Sequence, residues 1–249
     1  MKLMRVGEVG FEKPALIDAQ NKYRDLSSLI KDLNPDTLNF ETLEKIKATD
    51  SSKLPELDSN LRIGACVSKP SKFIGIGLNF KDHAEEQNLP IPKEPIIFSK
   101  FTSCITGPND PIIVPKGSNH TDWEVELGFV IGKKAINVST DQALDHVLGF
   151  FLVNDVSERN FQKNKGLTWD KGKGFDTFGP IGPYIVTKDE LPDFQKLDMS
   201  LDVDGKRMQT GNTEKMIFDI KTLVSYMSSC MSLHPGDICC TGTPPGVGE

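Results

Sequence analysis

Glu124 and Glu126 stand one residue apart in the stretch Asp122-Trp123-Glu124-Val125-Glu126-Leu127-Gly128-Phe129-Val130-Ile131-Gly132. In an extended strand side chains alternate between faces, so Trp123, Val125, Leu127, Phe129 and Ile131 share one face and the two glutamates share the other. Carboxylates on one strand face lie roughly 6 to 7 Å apart, and like charges that close repel unless water, a cation or a proton compensates them. A hard divalent cation meets that need; the alternative is the wet face of a half-buried strand. A third acid follows the run Val147-Leu148-Gly149-Phe150-Phe151-Leu152-Val153, which is apolar without alternation, as in a strand buried on both faces, and ends at Asn154-Asp155. Glu124, Glu126 and Asp155 make an all-oxygen donor set suited to Mg²⁺, Mn²⁺ or Ca²⁺ rather than Zn²⁺.

His83 and Glu86 are three apart in a presumed helix, so the carboxylate can orient the imidazole and raise its basicity, an arrangement for a general base. The alternative is a surface histidine near a helix start. Arg159 and Gln162, three apart on a helix expected after Asp155, can hold a carboxylate near the metal, the guanidinium offering a planar, bidentate match. The glycines of Lys165–Gly174 lack the Walker spacing and the G-K-[ST] ending. Gly75-Ile76-Gly77 lacks the third glycine of a dinucleotide fingerprint. Nucleotide binding is set aside on both counts.

These residues need elements to place them. At 249 residues, 37% hydrophobic and 26% charged, the chain is long enough for one sizeable core and a smaller unit. The net charge of −6, with Lys and Arg dispersed, argues against nucleic acid or an anionic membrane as the main partner. Five cysteines without a C-x-x-C pair read as reduced thiols of a cytoplasmic protein. The first residues form no apolar signal region, and no stretch is long enough to span a membrane. Residues 1–68 read as a small unit with strands over Met4–Val9 and Pro14–Ile17 and short helices over Leu26–Leu33 and Phe40–Ile46. From Lys69 the pattern gives a strand over Lys72–Leu78, a helix capped by Asp82, strands through Phe98–Gly132 and a helix over Val156–Lys165. A glycine-rich loop over Gly166–Gly174 follows, then a strand from Met199, a helix over Ile220–Cys230 and a strand entering the loop at Gly236–Gly246.

From Lys69 to Gly246 the chain resembles the fumarylacetoacetate hydrolase superfamily. The resemblance is carried by Gly77-Leu78-Asn79-Phe80-Lys81-Asp82-His83, Glu124-Val125-Glu126-Leu127, Asn154-Asp155-Val156-Ser157-Glu158-Arg159, Lys173-Gly174-Phe175-Asp176-Thr177 and Thr241-Gly242-Thr243-Pro244, in that order. It implies an α+β, β-rich protein: a mixed β-roll catalytic domain over 69–249, a small N-terminal α/β domain over 1–68, and homodimeric assembly. It further implies Mg²⁺ or Mn²⁺ on Glu124, Glu126 and Asp155, catalytic roles for His83, Glu86 and Lys173, and substrate contacts from Arg159, Gln162 and Thr243. The chain departs from the family pattern at Phe80, where Tyr is usual, and at Asn160, where an acid is common. It also ends at Glu249, where relatives continue through a further strand, so the catalytic domain is expected to lack its C-terminal end.

The activity this implies is metal-dependent hydrolysis of a carbon–carbon bond in a small 2,4-dioxo acid. The stretch Thr168–Pro180 looks most like 2,4-dioxo-3-deoxy sugar-acid hydrolases or ureidoglycolate lyases. A lyase releasing urea from ureidoglycolate is the alternative, followed by oxaloacetate decarboxylation or isomerisation. From another class comes a non-catalytic, metal-stabilised binding protein, which metal removal would unfold rather than merely inactivate.

Overall fold

The computed structural model describes residues 1–166 and 168–249. Strands β1 (Lys2–Val6), β2 (Lys13–Ile17) and β3 (Tyr23–Asp25) precede helix α1 (Phe40–Lys47) and β4 (Glu56–Leu57). Then come β5 (Phe73–Gly77), α2 (Lys81–Glu86), β6 (Ile96–Lys100), β7 (Ile105–Thr106), β8 (Thr121–Asp122), β9 (Val125–Ile131), α3 (Thr140–Ala143) and β10 (Val147–Asn154). The chain continues with β11 (Ser157–Glu158), α4 (Arg159–Asn164), α5 (Asp170–Lys173), β12 (Gly179–Thr187), β13 (Asp198–Val203), β14 (Lys206–Asn212), α6 (Ile220–Cys230) and β15 (Ile238–Cys240).

Eleven strands form one mixed sheet in the order β4-β3-β2-β1-β12-β10-β9-β15-β5-β6, with β7 beside β12. The β15–β5 and β12–β7 pairs are parallel and the others antiparallel. This is the α+β, β-rich arrangement expected. The strands of the first 57 residues extend the sheet through β1, which pairs with β12 at Lys2↔Val186 and Leu3↔Ile185. Among the described residues no helix is long and apolar enough to cross a membrane.

The alternation of β9 places Val125, Leu127, Phe129 and Ile131 in one core cluster with Ile220, Leu223, Val224 and Met227 of α6. Each such buried side chain contributes roughly 1.5 to 3 kcal/mol, enough to pin the register that turns Glu126 to the other face. Asp219 starts α6 by accepting from Thr222 N at 2.9 Å, a cap whose loss to Ala costs about 1 kcal/mol. From Val147 to Val153 β10 is buried as expected except at Leu152, which is exposed.

Several local expectations are corrected. Leu26–Leu33 is a single turn, not a helix, because acidic side chains compete for its backbone: Asp25 accepts from Ser27 N at 2.7 Å and Asp32 from Leu33 N at 2.8 Å. α2 begins at Lys81 with the fully buried Phe80 at its cap position, and Asp82 lies in its first turn. α4 starts at Arg159, three residues later than expected, since Ser157 and Glu158 pair with β8 instead. The glycine-rich loop is half helix: α5 spans Asp170–Lys173, while Leu167 of that loop lies outside the described residues. A Cβ at Gly172 would lie 2.6 Å from the Gln162 backbone, so this glycine serves close packing of α5 on α4. Cys230 is exposed, and the other four thiols are buried and unbridged.

Candidate active site

The antiparallel β9–β10 register sets Val153 opposite Glu126 and Asn154 opposite Val125, and Asp155 N donates to Glu124 O at 2.8 Å. The three acids are thereby neighbours although Glu124 and Asp155 are 31 positions apart in the sequence. All three are buried. β15 runs parallel to β10 and β5, so the Thr-Gly-Thr-Pro turn after it and the turn into α2 arrive at the same end of the sheet. Gly242 N donates to Glu126 Oε2 at 2.6 Å, and Thr243 Oγ1 donates to Val125 O at 2.9 Å.

Three cations meet these acids. Lys173 Nζ lies 2.7 Å from both Glu124 Oε2 and Asp155 Oδ2. Arg159 Nη1 lies 2.7 Å from Glu124 Oε1, while its Nη2 lies 2.6 Å and its Nε 2.7 Å from Asp122 Oδ2. Lys100 Nζ lies 2.6 Å from Asp155 Oδ1 and donates to the Lys173 carbonyl. Burial opposes ionisation of Glu124, but Lys173 and Arg159 outweigh it and hold its carboxyl at about 2. Among the described residues no cation pairs directly with Glu126; burial, then the Asp155 and Glu124 charges, outweigh the more distant Lys173 and push it well above the ordinary carboxylate range. Burial likewise works against the Lys173 cation, and Asp155 and Glu124 more than restore it.

A cavity of about 410 Å³ opens onto this cluster. Of the nine residues singled out from sequence, His83, Glu124, Glu126, Arg159, Gln162, Lys173 and Thr243 line it. Asp155 sits behind Lys173, and Glu86 sits behind His83 with Oε2 3.0 Å from Nδ1. Glu86 also accepts from Gly246 N at 3.1 Å, which ties α2 to the loop after β15. Gln162 Oε1 accepts from Arg159 Nη1 at 3.0 Å.

Several participants carried no sequence signal. Lys100 is a single lysine in an edge strand, and only the fold buries it. Gln209 of β14 is fully buried and joins three pieces: its Oε1 accepts from Val125 N at 2.8 Å, and its Nε2 donates to Thr243 Oγ1 and Pro244 O, each at 2.8 Å. Asp122 was within reach, because an acid two residues before Glu124 falls on the same strand face. Cys240 is the remaining one: its thiol and carboxylate oxygens of Glu126 and Asp155 lie within 4.8 Å of one another.

The donor set fits a divalent ion. Glu126 is a buried carboxylate held by one backbone N–H and facing two other acids, a position a positive charge would relieve. Glu124 is turned toward Lys173 and Arg159, so Glu126, Asp155 and Cys240 are the mutually close donors here.

Buried acids and lysines gathered around a cavity of this size are the makings of a small-molecule enzyme rather than of a scaffold. Residues 72–249 match the family profile described as fumarylacetoacetate (FAA) hydrolase C-terminal, and the chain belongs to that family. A relative from Burkholderia cenocepacia (strain HI2424) that carries only a provisional hydrolase name is 56% identical, with 100% of this chain and 88% of the relative covered. The structure is similar to maleylpyruvate hydrolase from Sphingobium sp. SYK-6 in complex with manganese(II) and pyruvate: TM-score 0.83, 27% identity, 100% of this chain and 90% of that one. It is also similar to 5-carboxymethyl-2-hydroxymuconate delta-isomerase from Mycobacterium smegmatis, with TM-score 0.79, 32% identity, and 100% and 89% covered.

Proposed function

We propose that this protein is a divalent-metal-dependent hydrolase that cleaves a carbon–carbon bond of a small 2,4-dioxo acid. The observation that carries the reading is the convergence, on one cavity, of the Glu124, Glu126 and Asp155 cluster with the His83–Glu86 pair. Glu126 and, once Lys173 releases them, Glu124 and Asp155 would hold Mg²⁺ or Mn²⁺, with the Cys240 thiol beside them. When bound, such an ion supplies Lewis-acid polarisation of the 2-oxo group.

The chain's own residues account for the rest. His83, oriented by Glu86, takes a proton from water as its oxygen adds to the C4 carbonyl. The C3–C4 bond then breaks, its electron pair passes into the three-carbon fragment, and the other fragment leaves as a carboxylic acid. Negative charge developing on the enolate oxygen meets the preorganised Lys173 ammonium, and the enolate regains a proton at C3 to give pyruvate. Arg159 and Gln162 align the substrate carboxylate, and Thr243 closes the wall. The chain would act as a homodimer; sedimentation velocity tests that, with the exposed Phe11, Ile113 and Val114 offering apolar surface.

The likeness to the delta-isomerase supports a second reading, in which the same groups move a proton without cleaving carbon. Incubation of acylpyruvates with enzyme and Mg²⁺ in ¹⁸O-water separates the two. Hydrolysis gives pyruvate and a carboxylic acid carrying one solvent oxygen; isomerisation gives neither.

A further inference from the structure

The two glycines of β5, too few for a dinucleotide loop, have a different use. A Cβ at Gly75 would lie 2.2 Å from the Phe98 ring, and one at Gly77 would lie 2.1 Å from the Trp169 ring. Both rings therefore rest against bare backbone. Their centroids are 5.5 Å apart and their planes are tilted by 56°, a close aromatic contact within the favourable range of separations. Lys173 Nζ stands 5.3 Å from the Phe98 centroid, so the aromatic pair reaches the charged cluster. Ser99 N donates to Asp170 Oδ1 at 3.1 Å, which fastens the residue after Trp169 to β6.

On one side of this pair lies the cavity of about 410 Å³ that contains Lys173 and Glu124. On the other, a groove of about 650 Å³ runs past Ser71 and Thr102. Ile96, Phe98 and Trp169 line both, so they stand between them. Leu89, Ile91 and Val247 add apolar side chains to the lining of the same cavity. We propose that Trp169, backed by Phe98, is a specificity-determining wall that accepts a short apolar tail beyond the reacting carbons and sets its length. This rests on the reading of the site as a binder of 2-oxo acids.

The test is a chain-length profile on wild type, Trp169→Ala and Trp169→Phe. Two series are compared: kcat/KM for acylpyruvates with straight tails of increasing length, and calorimetric Kd for straight-chain 2-oxo acids, both with Mg²⁺. In wild type each added methylene should raise kcat/KM and lower Kd roughly four-fold until the tail meets the indole, after which both trends reverse. Trp169→Ala joins cavity and groove, so the favourable trend should continue into longer tails and exceed wild type there by at least about ten-fold. Trp169→Phe should fall between, and it carries the test if the alanine variant does not fold. Equal profiles in all three proteins, or no binding of any 2-oxo acid, overturn the wall. Absent turnover with a Kd profile that still shifts refutes the hydrolase and keeps the wall.

Discussion

Lys100 Nζ lies 2.6 Å from Asp155 Oδ1, and neither side chain reaches solvent. The same ammonium donates to the Lys173 main-chain carbonyl, so one lysine sets the position of an acid and of a second lysine. Lys100→Met would strand Asp155 beside Glu126 with one cation fewer. Breaking a buried pair costs about 3 to 5 kcal/mol, which predicts a fall in Tm of roughly 6 to 20 °C for a chain of this size. Calorimetry of the variant with a chelator present measures it directly; an unchanged Tm would show that the pair contributes nothing to stability.

Glu126 makes stability depend on pH in a defined direction. Its folded pKa is raised, so its contribution is fully present below about pH 4.3, the ordinary glutamate value, and is lost as pH rises toward the folded value. Glu124 acts in the opposite sense and lower down, its contribution lost only as pH falls through about 2. A divalent ion takes the place of the Glu126 proton, so binding should release protons, and Mg²⁺ should stabilise the protein more at about pH 8 than at about pH 5. Thermal melts with Mg²⁺ and with chelator, together with calorimetry in buffers of different ionisation enthalpy, measure both effects. Glu126→Gln should abolish the proton release.

Arg159 spends most of its N–H groups on Asp122, Glu124 and Gln162. Arg159→Lys keeps the charge and loses the planar fork, so it should raise KM for a 2,4-dioxo acid and also weaken Mg²⁺ binding through a misplaced Glu124. A changed KM with unchanged metal affinity would separate substrate contact from ligand positioning.

His83→Ala should lower kcat by roughly 10² to 10⁴ while leaving Mg²⁺ affinity near wild type. Glu86→Gln should lose less, because shape is kept and only the charge behind the imidazole is removed. If His83→Ala cleaves normally and fails only in hydrogen exchange at C3 of pyruvate, the water is activated by another group.

The strands that carry the acids were legible because their patterns are local: alternation along β9 sets which side chains share a face, and the unbroken apolar run of β10 marks a strand covered on both faces, while the burial of both faces of β9 was not foreseen. The i, i+3 spacing likewise brought His83 to Glu86. Lys100 and Gln209 were illegible, since nothing near them in sequence distinguishes them from solvent-facing residues and only the sheet order buries them. α5 was missed because glycine reads as loop, whereas Gly172 is there to let two helices touch. The turn at Leu26–Leu33 was missed because helical apolar spacing does not show that Asp32 is drawn to Arg5, at 2.6 Å.

The pairing of β1 on β12 makes the first 57 residues hard to remove. β1 meets β12 at Ile185 and Val186, and Thr187 N donates to Met1 O, so taking away β1 to β4 would bare the backbone groups at that end of β12. A truncated chain would thus present a short sticky edge to its own copies, and it should precipitate more readily than the full chain.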